Sequence, residues 1–114
     1  MTPEPVPPLR LLVEQQPPWT IVRVSGELGW ESHTEFGDCL SAVVGQDGQP
    51  CICLDLSSLD FCDSSGIARM VRASRDVRQC GGQVVLRAPK PKVARMLAWM
   101  GMAELLPIVN ELPA

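Results

Sequence analysis

The 114-residue sequence is poor in several things that would otherwise direct a functional reading. It has one histidine, so no second imidazole is present for a metal site or a proton relay. Its five cysteines, Cys39, Cys51, Cys53, Cys62 and Cys80, form no CxxC pair. The only close pair, Cys51 and Cys53, lacks a neighbouring histidine or second pair, which argues against zinc. An odd number of thiols inside apolar segments fits a reduced, cytoplasmic protein whose cysteines are small core residues. No apolar run reaches the ~20 residues of a membrane span. The first residues lack the basic and apolar regions of a signal peptide, so neither membrane insertion nor export is expected.

What is present is a small, acidic, apolar-rich domain. Hydrophobic residues make up 46% of the chain, too many for a disordered segment. The formal net charge of −3 conceals an uneven distribution. Residues 1–63 carry ten acids and two bases, net −8, whereas residues 64–114 carry eight bases and three acids, net +5. Such a dipolar chain lacks the overall positive footprint of a nucleic-acid binder. Arg69, Arg72, Arg75 and Arg78 recur every three residues. On a helix this row drifts by about 60° per step, which reads as a solvated face or, in part, a docking surface for an acidic partner.

Residues 1–8 contain four prolines and read as a flexible tail, leaving residues 9–114 as one domain. Leu9–Glu14 and Trp19–Ser25 predict two strands joined at Pro17-Pro18. Gly26-Glu27-Leu28-Gly29 breaks the pattern. Ser32 and Glu35 have capping-box spacing ahead of a helix carrying Phe36, Cys39, Leu40, Val43 and Val44. Cys51–Leu56 predicts a central strand covered on both faces. Ser57–Cys62 reads as a short loop. A helix follows with Ile67, Met70, Val71, Ser74 and Val77 on one stripe. Gln83–Arg87 predicts another strand, and Val93, Met96, Leu97 and Met100 a third helix, with Gly101 beyond its end. A short strand is expected within Leu106–Val109. This order predicts an α/β fold: one mixed sheet of four to five strands, antiparallel at one edge, packed by three or more helices.

The segment from Leu54 to Gly66 carries the chemistry. It delivers Ser64 and Ser65 to the start of a helix beyond the carboxyl end of a buried strand, where α/β domains place their sites. Either Asp63 or Ser64 suits the N-cap. A hydroxyl in the first helical turn lies close to free N–H donors and the positive end of the helix dipole. A phosphate there is tolerated locally, yet it adds nearly two negative charges beside Asp63 and, on this reading, near Asp55 and Asp60. A covalent-catalysis reading fits less well. The segment lacks the first glycine of a Gly-x-Ser-x-Gly elbow, and His33 is the lone candidate base.

The run Leu54-Asp55-Leu56…Leu59-Asp60-Phe61-Cys62-Asp63-Ser64-Ser65-Gly66 resembles the signature of the anti-sigma factor antagonists of the STAS-domain family. Gly26-Glu27-Leu28, Gly82-Gln83-Val84-Val85-Leu86 and Val93–Leu105 extend the likeness over about Leu9 to Leu112. The resemblance implies a STAS fold and a non-enzymatic, cytoplasmic role in partner switching. It implies Ser65 as the phosphoacceptor, with Asp63 and Ser64 lining the site; the local reading of the residues adds Asp55, Gly66, Gly29 and Trp30 to that lining. The implied partners are an anti-sigma factor that is also a serine kinase, and a serine phosphatase. Nucleotide and Mg²⁺ belong to the kinase, so no cofactor is expected here, and neither nucleic acid nor membrane is an expected partner. The sequence departs from the family at Gly29, where an aspartate is usual. The following Trp30 suits either the core or an interface. A STAS module within a larger signalling complex, with weak or no phosphorylation control, is the alternative.

Overall fold

A computed structural model describes residues 8–45, 48–102 and 104–112. Apart from Pro8, the proline-rich tail lies outside the described residues. The elements run β1 (Arg10–Gln16), β2 (Trp19–Leu28), α1 (His33–Val44), β3 (Cys51–Cys62), α2 (Ser64–Gln79), β4 (Gln83–Arg87), α3 (Pro91–Trp99) and β5 (Ile108–Val109). The strands form one sheet in the order β1-β2-β3-β4-β5. β1 is antiparallel to β2, and all other pairs are parallel. This is the mixed α/β sheet the sequence predicts, with its antiparallel strand at the edge and Pro17-Pro18 in the turn.

Side-chain alternation divides the sheet into two faces. On one, Val22, Val24, Ile52, Leu54, Leu56, Val84 and Leu86 pack with the buried residues of all three helices into the main core. Phe36, Ile67 and Met70 are fully buried there. Each such side chain contributes roughly 1.5–3 kcal/mol by leaving water. On the other face Trp19, Ile21, Cys53 and Val85 form a smaller cluster with Cys51, Val109 and Leu112. β3 is therefore covered on both sides, as its nearly continuous apolar run demands.

Two strands outrun their sequence boundaries. β2 continues through Gly26 to Leu28, and β3 through Ser57-Ser58 to Cys62. Register shifts between Arg23 and Ser25 and between Gly26 and Glu27 keep them paired, Ser25 with Ser58 and Leu28 with Cys62. Glycine and serine weaken strand propensity locally, but a long parallel partner with buried Leu56, Leu59 and Cys62 overrides it. The expected loop before the serines is thus strand, and α2 starts within two residues of its end.

The capping box of α1 does not form. Ser32 Oγ accepts from the Gly29 N–H at 3.1 Å and donates to the Glu27 carbonyl at 3.0 Å, so it ties down the preceding loop instead. Not every cysteine is a core residue either: Cys53 and Cys62 are buried, Cys39 and Cys51 half-buried, and Cys80 exposed beyond the end of α2. None of the described helices is long and apolar enough to cross a membrane.

Candidate functional site

Asp63 organises the site. It is the N-cap of α2, and its Oδ1 accepts from the Ser65 N–H at 2.9 Å and the Gly66 N–H at 3.4 Å. This settles the choice of cap in favour of Asp63 and satisfies two of the donors that a helix start leaves unpaired. Its Oδ2 accepts from the Trp30 N–H at 3.2 Å, and its own N–H donates to the Leu28 carbonyl at 3.1 Å. One carboxylate therefore clasps the loop after β2 to the first turn of α2.

Two glycines permit that approach. A Cβ on Gly29 would stand 2.8 Å from Asp63 Oδ2, so the residue that departs from the family pattern leaves the room this clasp requires. A Cβ on Gly66 would stand 2.6 Å from Leu28 Cγ and 2.8 Å from Cys62 Sγ. Gly66 is buried, and it seats the helix on the core rather than facing the cleft. Burial, then the neighbouring Asp63 charge, push the Cys62 thiol up to about 12, so it stays protonated and unreactive at neutral pH.

Ser64 is exposed and Ser65 half-buried, both in the first turn of α2. Trp30 is 77% exposed, which decides between core and interface in favour of the surface. A cleft of about 410 Å³ opens beside it, lined by Glu27, Trp30, Glu31, Glu35, Phe61 and Asp63. The Trp30 ring lies 5.5 Å from that of His33. His33 Nδ1 in turn accepts from Arg69 Nε at 3.1 Å. Arg69 crosses from α2 to α1 over Gly37, whose missing side chain makes the space. His33 thus engages α2 through Arg69, and among the described residues no hydrogen bond joins it to either serine.

One predicted site residue stands elsewhere. Asp55 lies on the opposite stretch of β3, roughly 20 Å back along the strand at ~3.3 Å per residue. There it accepts from Arg87 at 2.8 Å and from the Ser57 N–H and hydroxyl at 3.0 and 2.7 Å. Burial works to raise its pKa. The Arg87 hydrogen bond and the two from Ser57 outweigh that, so the carboxyl lies below its ordinary value. Asp55 is a structural ion-pair partner, brought near in the motif only by reading a strand as a loop. Asp60 likewise points away, to Lys90.

The Asp63 carboxylate meets Gly29 and Trp30, Ser64 and Ser65 follow it in the first turn of α2, and Gly66 lies buried beneath. The sequence reading missed Arg69 and the acidic rim. For Arg69 the signal was there, since Ser65 and Arg69 are four apart on one helix face. Glu27, Glu31 and Glu35 lie on β2, the following loop and α1, and only the fold brings them to one rim.

Comparison with known proteins agrees with this architecture. A family model described as "Mlab, STAS domain" matches residues 11–108. An anti-sigma F factor antagonist of Paenibacillus polymyxa is 29% identical over 91 residues, covering 80% of this chain and 78% of the relative. One of Lysinibacillus sphaericus is 26% identical over 82 residues, 72% of this chain and 70% of the relative. The crystal structure of an anti-sigma factor antagonist from Mycobacterium paratuberculosis shares the fold. Its TM-score is 0.82 at 24% identity, over 92% of this chain and 88% of that one. With the family model spanning nearly the whole sheet and all three helices, the chain belongs to the STAS domain family.

Proposed function

We propose that this chain is an anti-sigma factor antagonist, acting in the cytoplasm through residues 9–114 as one unit. It binds an anti-sigma factor that is also a serine kinase, thereby releases a sigma factor, and is switched off by phosphorylation of Ser65. The observation that carries this reading is the position of Ser65 in the capped first turn of α2, its N–H held by Asp63, which borders an open cleft with an exposed tryptophan. The names of the curated relatives support it. In the transfer, Ser65 Oγ forms a bond to the γ-phosphorus of the kinase's ATP as the bond to the β-phosphate oxygen breaks. The hydroxyl proton passes to a basic group of the kinase and from there to solvent, and ADP is the leaving group. The product gains nearly two negative charges at a helix N-terminus that tolerates them, so the fold persists. The rim already holds Glu27, Glu31, Glu35 and Asp63, so the added phosphate changes the surface a partner meets. A serine phosphatase restores the hydroxyl.

The test is incubation with the kinase and ATP, followed by mass spectrometry and a binding assay. Phosphate is expected on Ser65 alone. Ser65→Ala should stay unmodified and keep binding, and Ser65→Asp should bind at least about tenfold more weakly, a loss of ~1.4 kcal/mol. Phosphate found only on Ser64 would refute the assignment.

Gly29 favours a second reading. The carboxylate usual at this position is absent, and Asp63 fills the space with hydrogen bonds of its own. A STAS module of a larger complex, under weak or no phosphorylation control, needs no such carboxylate. It predicts a large assembly on a sizing column and slow phosphate incorporation.

A further inference from the structure

The arginine row of α2 divides when its contacts are read. Arg69 is committed to His33 on α1, and Arg78 donates to the Glu104 carbonyl at 2.6 Å. Arg72 and Arg75 are exposed and make no ion pair among the described residues. Both border a groove of about 560 Å³ between α2 and the chain that follows α3. Its apolar lining includes Val71, Met100, Met102 and Leu105, each half-buried and packed on the main core. Among the described residues Asp76 is the one acid that borders it, a turn beyond Arg72. Trp99, 86% exposed, immediately precedes Met100.

This composition is unlike an ordinary solvated helix face. Methionine and arginine are residue types that interfaces concentrate, and methionines adapt their shape to an incoming side chain. Two unpaired guanidinium groups along one edge of an apolar trough match carboxylates flanking an apolar stripe. An amphipathic helix presents that pattern, with anchors at i, i+3 or i+4 and i+7.

We infer that the groove between α2 and Met100, Met102 and Leu105 is a second docking surface. Its occupant is an amphipathic helix of a protein partner whose apolar side chains enter between Val71 and Met102 while its acidic edge pairs with Arg72 and Arg75. The surface is separate from the Trp30 cleft, and it does not depend on the chemistry of Ser65. It gives the basic half of the chain a role that the phosphorylation site leaves unexplained.

The test uses the full chain, isotopically labelled, and two synthetic helical peptides. Both carry leucines at i, i+3, i+4 and i+7; one has glutamates along the flanking edge, the other lysines. The glutamate peptide should shift the backbone amides of residues 67–79 and 100–105 and bind at least about tenfold more tightly than the lysine peptide. Arg72→Glu with Arg75→Glu should remove about that same tenfold, and added salt should weaken binding to the wild type. Both arginines are exposed, so these variants keep the fold. Met102→Asp, tested separately, should weaken both peptides by spoiling the apolar floor. The inference is overturned if the two peptides bind equally, or if the shifts cluster at the Trp30 cleft. It is also overturned if the glutamate peptide fails to bind at about 1 mM. Self-association that the Arg72→Glu, Arg75→Glu variant abolishes would assign the groove to a second copy and refute the partner helix.

Discussion

Asp55 and Asp63 belong to one contiguous sequence motif, yet they do opposite things. Asp55 sits in the buried stretch of β3, locked by Arg87 and Ser57 on the sheet face that carries the smaller cluster. Asp63 sits just past the strand end, where one oxygen caps α2 and the other holds the loop that presents Trp30. The first carboxylate stabilises the scaffold. The second shapes a surface that remains open. A strongly held acid within the sheet is therefore a poor guide to the candidate site here, whereas Asp63, which caps a helix at the edge of an open cleft, lies at it.

Removing the two partners should separate these roles. Arg87→Met leaves the largely buried Asp55 carboxylate without its charge partner, held by Ser57 alone, and should cost about 3 kcal/mol, read as a lower urea midpoint. Once its stability is accounted for, binding at the Ser65 end should be unchanged. An equal loss of both would erase the distinction.

Asp63→Ala should cost less stability, about 1–2 kcal/mol, through the lost cap. It should cost more binding, because the Trp30 loop is released from α2. Thermal unfolding and a partner titration measure the two effects. Asp63→Asn, which keeps an accepting oxygen, should recover part of the stability.

Acid sharpens the contrast further. The folded pKa of Asp55 lies below its unfolded value of about 3.9. Its stabilisation is therefore complete above that value and is lost as pH falls through the folded pKa. Asp55→Asn should make unfolding less pH-dependent below about pH 4, and a variant that keeps the full acid sensitivity would remove Asp55 as its source.

The smallest effect belongs to Trp30→Ala. An indole 77% exposed packs little, so stability should change by less than about 0.5 kcal/mol. Partner binding should fall markedly if the cleft is the interface, since exposed aromatics contribute strongly there.

Much of the fold was legible in the sequence, and the reasons are local. Helical stripes such as Phe36-Leu40-Val43 and Ile67-Met70-Val77 announce their buried faces, and Pro17-Pro18 and Gly101 mark turns and ends. The length of β2 and β3 was not legible. Gly26 and Ser57-Ser58 read as breaks until each strand is paired with the other through its bulges. That single error moved Asp55 into the site.

The sequence by itself determined the alternation of strands and helices, the acidic and basic halves, and the serine pair at a helix start. These follow from periodicity and side-chain chemistry, which need no long-range partner. Only the tertiary structure decided that Asp63 rather than Ser64 caps α2, that Trp30 is exposed, that Gly29 makes way for the Asp63 carboxylate, and that, among the described residues, Arg69 and Arg78 find partners while Arg72 and Arg75 form no ion pair. Each of those depends on which surfaces meet across the sheet and between helices, and a residue's own neighbours in the chain do not specify that.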